Sequence, residues 1–372
     1  MKWLWPKSDW WLALLIVVLV TAAGASGQFA VLDNAIYAWG MRFSAQRDPG
    51  SRIAIVSLDA AVAASPDKLN QALTDITRGL AADGAGVIGF ALPPDQLAAA
   101  GNFGDASGST ATPPPDDSDE APGNTTFLAS IAAAHNVVLA ATTSGTADSD
   151  DTAAGAQLPD SILLNSLPAF GAPPPRQGGV LARWLDVRAP RVQLNMPPAP
   201  LASAAVGVGV LVDSDSFTGA APAVVRTGSA YMPGFALEIA ARALDLNNLD
   251  MIRGSGRKIL LGERGIPTDS RLRLYPYFYG DRATFPHYPA ASVAGGLLPK
   301  DTFRNKIVLV GVTAADAVGG QTTPIGGNVA PVVYQANVIA SLLNDDLFTL
   351  PPWGIGLSGG LLFLIALYFV FV

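Results

Sequence analysis

The chain has 372 residues, half of them hydrophobic, only 14% charged, with a net charge of −7. An acidic chain gains nothing from releasing phosphate counterions, so nucleic acid is not an expected partner. Cysteine is absent, which rules out disulfides, Cys-ligated zinc and thiol catalysis, and two histidines are too few for a His-rich metal site.

Residues 11–29 carry no charge. At about 1.5 Å per residue, nineteen residues just cross a hydrocarbon core of about 30 Å. Lys2 and Lys7 precede the segment, and four of the seven tryptophans (Trp3, Trp5, Trp10 and Trp11) crowd its edge. This is the pattern of an interfacial aromatic belt with positive charge inside. Ala23-Gly24-Ala25 could pass as a signal-peptide cleavage site, but a second apolar segment favours a span. Residues 1–10 are therefore predicted to be cytoplasmic, 11–29 to be the first transmembrane helix, and 30–352 to lie outside. The stretch that follows places Leu32, Ile36, Trp39 and Phe43 on one stripe and is predicted to continue the helix outward as a stalk.

The outer region alternates strand and helix signals. Residues 51–59 are a β-branched run ending in Asp59; 67–82 show helical spacing through Leu69, Leu73, Ile76 and Leu80, with Asp67 as N-cap. Residues 87–92 read as a second buried strand, 126–134 as a helix and 136–141 as a third strand. This βαβαβ rhythm predicts an α/β fold, with a mostly parallel or mixed sheet and flanking helices. Further on, 205–213 and 223–232 read as paired strands, 234–246 as an amphipathic helix and 271–279 as an alternating strand. Residues 304–312 are the strongest strand signal, and 334–344 a second amphipathic helix. Residues 101–125, 143–157 and 171–179, rich in Gly, Pro, Ser and Asp, are predicted to be mobile loops because they bury too little to offset ordering entropy.

The last twenty residues, 353–372, are again uncharged and begin at Trp353. They are predicted to be a second transmembrane helix. No Lys or Arg follows to hold its far side, which predicts a longer parent chain continuing into the cytoplasm. Gly356 and Gly360 form a small-xxx-small pair, the spacing that lets helices approach closely.

Chemistry-bearing motifs are sparse. The pair Gly84 and Gly86 lies between a helix and a strand, the reverse of a phosphate loop. Asp213 and Asp215 resemble the start of a calcium loop, but the required Gly and Glu positions hold Thr218 and Val224. A looser cation site or a simple Asx turn remains there. Asp59 ends a buried strand, where parallel sheets bind ligands; the alternative is a cap on the following turn. His135 and His287 have no partner histidine. Tyr275, Tyr277, Phe278, Tyr279, Phe285 and Tyr288 form an aromatic cluster, read as core or membrane-proximal packing in preference to a docking patch. No nucleophile–base–orienter set is legible, so an enzyme is not expected, nor a cofactor or a metal.

The order of these pieces resembles the CHASE2 family of extracytoplasmic sensor domains. The carrying segments are 32–44 followed by 53–59, then 79–90, then 212–226 followed by 232–244, then 303–316, the Thr-Thr-Pro at 322–324 and 335–348. The resemblance covers about 30–350 plus the flanking helices. It implies a bacterial inner-membrane receptor with its main domain periplasmic and a cytoplasmic output such as a nucleotide cyclase or kinase. It departs from the family pattern at Ala91, where an Asp is usual, at Gly319, Gly320 and Gln321, where an Asp usually precedes Thr-Pro, and at Gln335, where a His is usual. The spacing from Asp213 and Asp215 to Arg226 is also longer. The candidate ligand-binding set is Asp59, Asp213, Asp215 and Arg226, the last implied by the resemblance. Expected partners are membrane lipid, a second copy through the membrane helices at Gly356 and Gly360, partner membrane subunits, and a small-molecule or protein ligand. The alternative reading is a non-catalytic structural or interaction subunit of a larger membrane complex.

Overall fold

Seven segments of the chain share one sheet, and burial on both faces explains the composition of its central strands. The computed structural model describes residues 30–44, 47–100, 124–146, 159–170, 189–212, 220–254, 258–269, 271–280, 284–314, 320–323 and 328–349. Among them the strands are β1 (Ile53–Leu58), β2 (Val87–Phe90), β3 (Val137–Thr146), β4 (Val192–Asn195), β5 (Gly207–Leu211), β6 (His287–Pro289) and β7 (Ile307–Val312). The order is β6-β1-β7-β2-β3, and β3 pairs at its far edge with both β5 and β4. Every pairing is parallel except β3 with β4. The last strand, β7, lies between β1 and β2, in register from Ile53↔Ile307 to Leu58↔Val312. Its six residues are all buried, as the central strand of a parallel sheet requires.

Alternate side chains feed two separate cores. Ala54, Val56, Ile88, Val308 and Val310 belong to one. Ile53, Ile55, Val87, Ile307 and Leu309 belong to the other. The helices that matter below are α1 (Ala30–Phe43), α2 (Pro66–Ala82), α3 (Asn124–Ala134), α4 (Phe235–Arg242), α5 (Ala290–Ala294) and α6 (Pro331–Asn344). The first core is covered by α2, α3 and α5, with Leu69, Leu73, Ile76 and Leu80 turned inward. The second is covered by α4 and α6. The result is a three-layer α/β/α arrangement, and the predicted fold class holds for the described residues. Residues 11–29 and 353–372, read as bracketing membrane helices, lie outside them; no described helix is long and apolar enough to cross a membrane. Loops 101–125 and 171–179 lie outside them almost entirely.

Several expectations are corrected. Residues 143–146, assigned to a mobile loop, extend β3, because its far end gains β4 as an antiparallel neighbour. The segments 205–213 and 223–232 are not a strand pair. The first supplies β5, and the second folds on itself as the hairpin Val224–Thr227 with Ala230–Pro233. In 271–279 only Arg273–Leu274 is a strand. The α2 N-cap is Ser65, not Asp67, because Pro66 sits at the start and takes a first-turn position. His287 lies in edge strand β6 opposite Ile55.

Of the stalk stripe, Trp39 and Phe43 do share one face of α1, and that face is turned to solvent. Tyr37 and Met41 face the core, while Trp39 and Phe43 are 66% and 73% exposed and meet edge to face. Helix α6 is not amphipathic: Val332 through Leu343 are all buried, so it is a helix enclosed on every side. Enclosure makes its polar residues matter. The Asn337 amide accepts from the Tyr279 N–H at 2.8 Å and donates to the Val333 carbonyl at 2.9 Å. Ser341 donates to the Tyr277 carbonyl at 2.8 Å. These bonds pin the irregular 275–280 segment to α6. Asn337→Leu should lower stability by about 2–3 kcal/mol, since it orphans a buried N–H; a thermal midpoint unchanged from wild type would contradict this.

Candidate functional site

Carboxyl ends of parallel strands leave a crevice wherever the covering helices start. Here β5 ends at Leu211 and α4 starts at Phe235 against the same edge, while α6 starts beside them at Pro331. Gly209 makes this approach possible, because a Cβ there would lie 2.5 Å from the Phe235 Cα. Between the three elements lies a small cleft, partly open to solvent. Val210, Val212, Phe235 and residues 220–222 give it apolar walls; Gln321, Tyr334 and Gln335 give it polar groups. All three polar side chains are at least nine-tenths buried, with relative exposures of 4%, 5% and 6%. Burial raises the Tyr334 phenol well above its ordinary value, so it stays a neutral donor. Among the described residues, no ionised side chain lines this cleft.

The sequence-derived candidates are not brought together here. Asp59 follows β1, but its carboxylate accepts the Ala61 N–H at 3.1 Å and caps the short helix Ala60–Ala63. Arg226 sits in the 224–233 hairpin, donating from Nε to the Gly228 carbonyl at 2.9 Å, and does not line the cleft. Asp213, Asp215, Gly356 and Gly360 lie outside the described residues; Val212, directly before Asp213, lines the cleft. Two positions singled out only as departures, Gln321 and Gln335, do converge on it. Phe235 and Tyr334 carried no sequence signal beyond apolar spacing.

A second cluster joins the two ends of the described chain. The Tyr37 hydroxyl donates to the Pro276 carbonyl, and its ring meets Tyr275 and Phe348 edge-on, each at 5.4 Å. Arg47 pairs with Asp346 and lies 5.1 Å over the Tyr277 ring. The Tyr279 hydroxyl donates to Asp346 at 2.7 Å, and Asn344 donates to the Pro49 carbonyl at 3.3 Å. The aromatic cluster read from sequence thus packs in the interior, with Tyr277, Phe278, Tyr279 and Phe285 buried. It holds the chain entering β1 against the chain leaving α6.

A parallel sheet with helices on both faces and a small cleft at its carboxyl edge defines an α/β domain. The family model for the CHASE2 domain matches residues 12–370, and the chain belongs to that family of extracytoplasmic sensory domains. No curated protein matches the chain, and no solved structure does.

Proposed function

We propose that this chain is the extracytoplasmic input domain of a bacterial transmembrane receptor, passing a signal through its membrane segments to a cytoplasmic output. The observation that carries the reading is the join between Tyr37 and Arg47 on the incoming side and Asp346 and Phe348 on the outgoing side. A shift of α6 driven by an occupied cleft, with Tyr334 and Gln335 on its first turns, reaches both ends through Asn337, Ser341 and the 275–280 segment. This is allostery only if two arrangements of that path differ in ligand affinity. The reading includes a homodimer through the membrane segments, with Gly356 and Gly360 at the contact. Membrane lipid surrounds them, and the main domain lies on the periplasmic side of the inner membrane.

The test combines topology with output. Alkaline phosphatase fused after residue 346 of the otherwise intact chain should be active outside the cytoplasm; an inactive fusion refutes the placement. Residues 1–372 joined to the cytoplasmic half of a membrane histidine kinase should drive a reporter. Asp346→Ala should change that output severalfold at equal expression, because it removes the acceptor shared by Arg47 and Tyr279. Identical output rejects the proposed path. Interaction-subunit behaviour is favoured by one observation, the exposed Trp39–Phe43 pair on α1, and predicts stoichiometric partners on purification from the native membrane.

A further inference from the structure

A helix that packs one face on its own domain leaves the other face to be explained. Helix α1 turns Tyr37 and Met41 inward, where both are buried. Its outward face carries Trp39 and Phe43, whose rings meet each other at 4.9 Å and stay largely exposed. Leu32 and Ile36 precede them in the sequence, so apolar residues fall at 32, 36, 39 and 43. Steps of four, three and four residues mark the a and d positions of a heptad repeat, the spacing of a seam between two helices. On the same repeat Tyr37 and Met41 take the b and f positions, which point away from a seam. The repeat thus assigns one side of α1 to its own domain and the other to a second helix. Gly40 is an independent observation. It sits inside α1, where glycine weakens a helix, and a Cβ there would meet nothing within 4 Å among the described residues. Nothing in its own domain requires that residue to be small. It holds the e position, which flanks a seam and limits how closely a second helix can approach.

We infer that the Trp39–Phe43 face of α1 is a docking seam for α1 of a second copy of this chain, packed in parallel outside the membrane. The inference rests on the receptor reading above and adds a contact that the membrane segments do not contain. Two heptads are too short to pair as free helices. Two chains held in one membrane by the segments beside α1 meet at a raised effective concentration, which offsets that shortness. A bilayer is the other apolar surface within reach, and distance disfavours it. From a span that ends at residue 29, Trp39 lies about 15 Å and Phe43 about 21 Å along a helix. The headgroup layer extends only about 5–8 Å past the hydrocarbon. An identical helix instead presents the same aromatic pair at the same height, and aromatic side chains bury large apolar areas at such contacts. The seam also lies where a signal would pass. On the opposite face of α1 the Tyr37 hydroxyl donates to the Pro276 carbonyl and its ring meets Phe348. A shift at the junction of the two chain ends therefore turns the helix that carries the seam.

The chain has no cysteine, so single-cysteine variants of the full chain each report one contact. Mild oxidation in inner membranes should link Ile36→Cys, Trp39→Cys and Phe43→Cys into disulfide dimers. Their yields should exceed those of Ala38→Cys and Ser44→Cys, which fall off the seam, at least fivefold. Yields that do not follow this period overturn the inference. Trp39→Cys labelled with a benzophenone identifies the occupant on illumination. An adduct of twice the chain's mass is expected; a main adduct with lipid, with another protein or with residues 353–372 of the same chain overturns the inference. Gly40→Leu should reduce cross-linking through Ile36→Cys at least fivefold, and so should the pair Trp39→Ser and Phe43→Ser. Both should keep the wild-type thermal midpoint in nanodiscs, because they alter only the outward face. Two variants guard against one failing to fold, and wild-type cross-linking in the folded ones overturns the seam. If the phosphatase fusion is active and Asp346→Ala alters output while cross-linking shows no period, only the seam falls. If cross-linking follows the period and the fusion is inactive, the seam stands and the receptor reading falls.

Discussion

Replacing Arg242 by methionine should cost the fold about 3–5 kcal/mol at pH 7, the range seen when one partner of a buried ion pair is removed. The pair is formed by Glu238, whose side chain is fully buried, and Arg242, 16% exposed, at 2.7 Å within α4. Arg242 also donates to the Asn248 side-chain oxygen at 2.9 Å. Asn248 in turn donates to the Asn165 carbonyl at 3.0 Å, so the pair ties α4 to the helix Asp160–Asn165. Burial pushes the Glu238 carboxyl up, and Arg242 pulls it back down by charge and hydrogen bonding. Removing Arg242 takes away only the lowering influences, so the folded-state value rises further above the unfolded one of about 4.3. Between those two values the folded state holds a proton that the unfolded state has released. Stability therefore falls as pH rises through that window and is recovered as pH falls. The Arg242→Met protein should melt closer to wild type at pH 5 than at pH 8. A second change, Glu238→Gln, should restore much of the loss at pH 8 and flatten the pH dependence. A single variant equally stable at both pH values would show that Glu238 carries no charge that needs Arg242.

The sequence displayed the sheet far better than the cleft. Strands β1, β2 and β7 are short β-branched runs buried on both faces, and a run of that kind has few alternatives. The helix α2 was legible because Leu69, Leu73, Ile76 and Leu80 repeat at helical spacing on one face. Spacing was silent where a helix is apolar on more than one side. On α1, Tyr37 with Met41 and Trp39 with Phe43 are both i, i+4 apolar pairs, and only tertiary packing decides that the first pair faces inward. Helix α6 was read as amphipathic because Tyr334, Gln335, Asn337 and Ser341 look like a polar face. All of them are buried, because neighbouring elements enclose the helix on every side. Asp59 shows the opposite failure: a carboxylate in the right place for a ligand is occupied by a local cap. The cleft depends on Gln321, Phe235 and Gln335 meeting across separations that no local pattern encodes. Its one sequence trace was the replacement of ionisable residues by glutamines relative to the family pattern.

Gly209→Ala should be strongly damaging, with a loss of about 2–3 kcal/mol and disruption of the cleft. The added Cβ would lie 2.5 Å from the Phe235 Cα and 3.0 Å from its nitrogen. Both are backbone atoms at the start of α4, so relief requires the helix to move off β5. That movement carries Phe235 and Ala236, two of the cleft walls. Gly89→Ala is the control. Its Cβ would also come within 2.5 Å of an atom, but that atom is the terminal Cδ1 of Ile239, and Leu309 Cδ2 is next at 3.0 Å. Side-chain tips rotate where a backbone cannot, so this variant should stay near the lower end of overpacking costs, about 1 kcal/mol. Thermal midpoints of the two proteins in the same nanodiscs separate the cases. Equal losses in the two would mean that α4 tolerates displacement from β5, and that the close approach at Gly209 does not set the shape of the cleft.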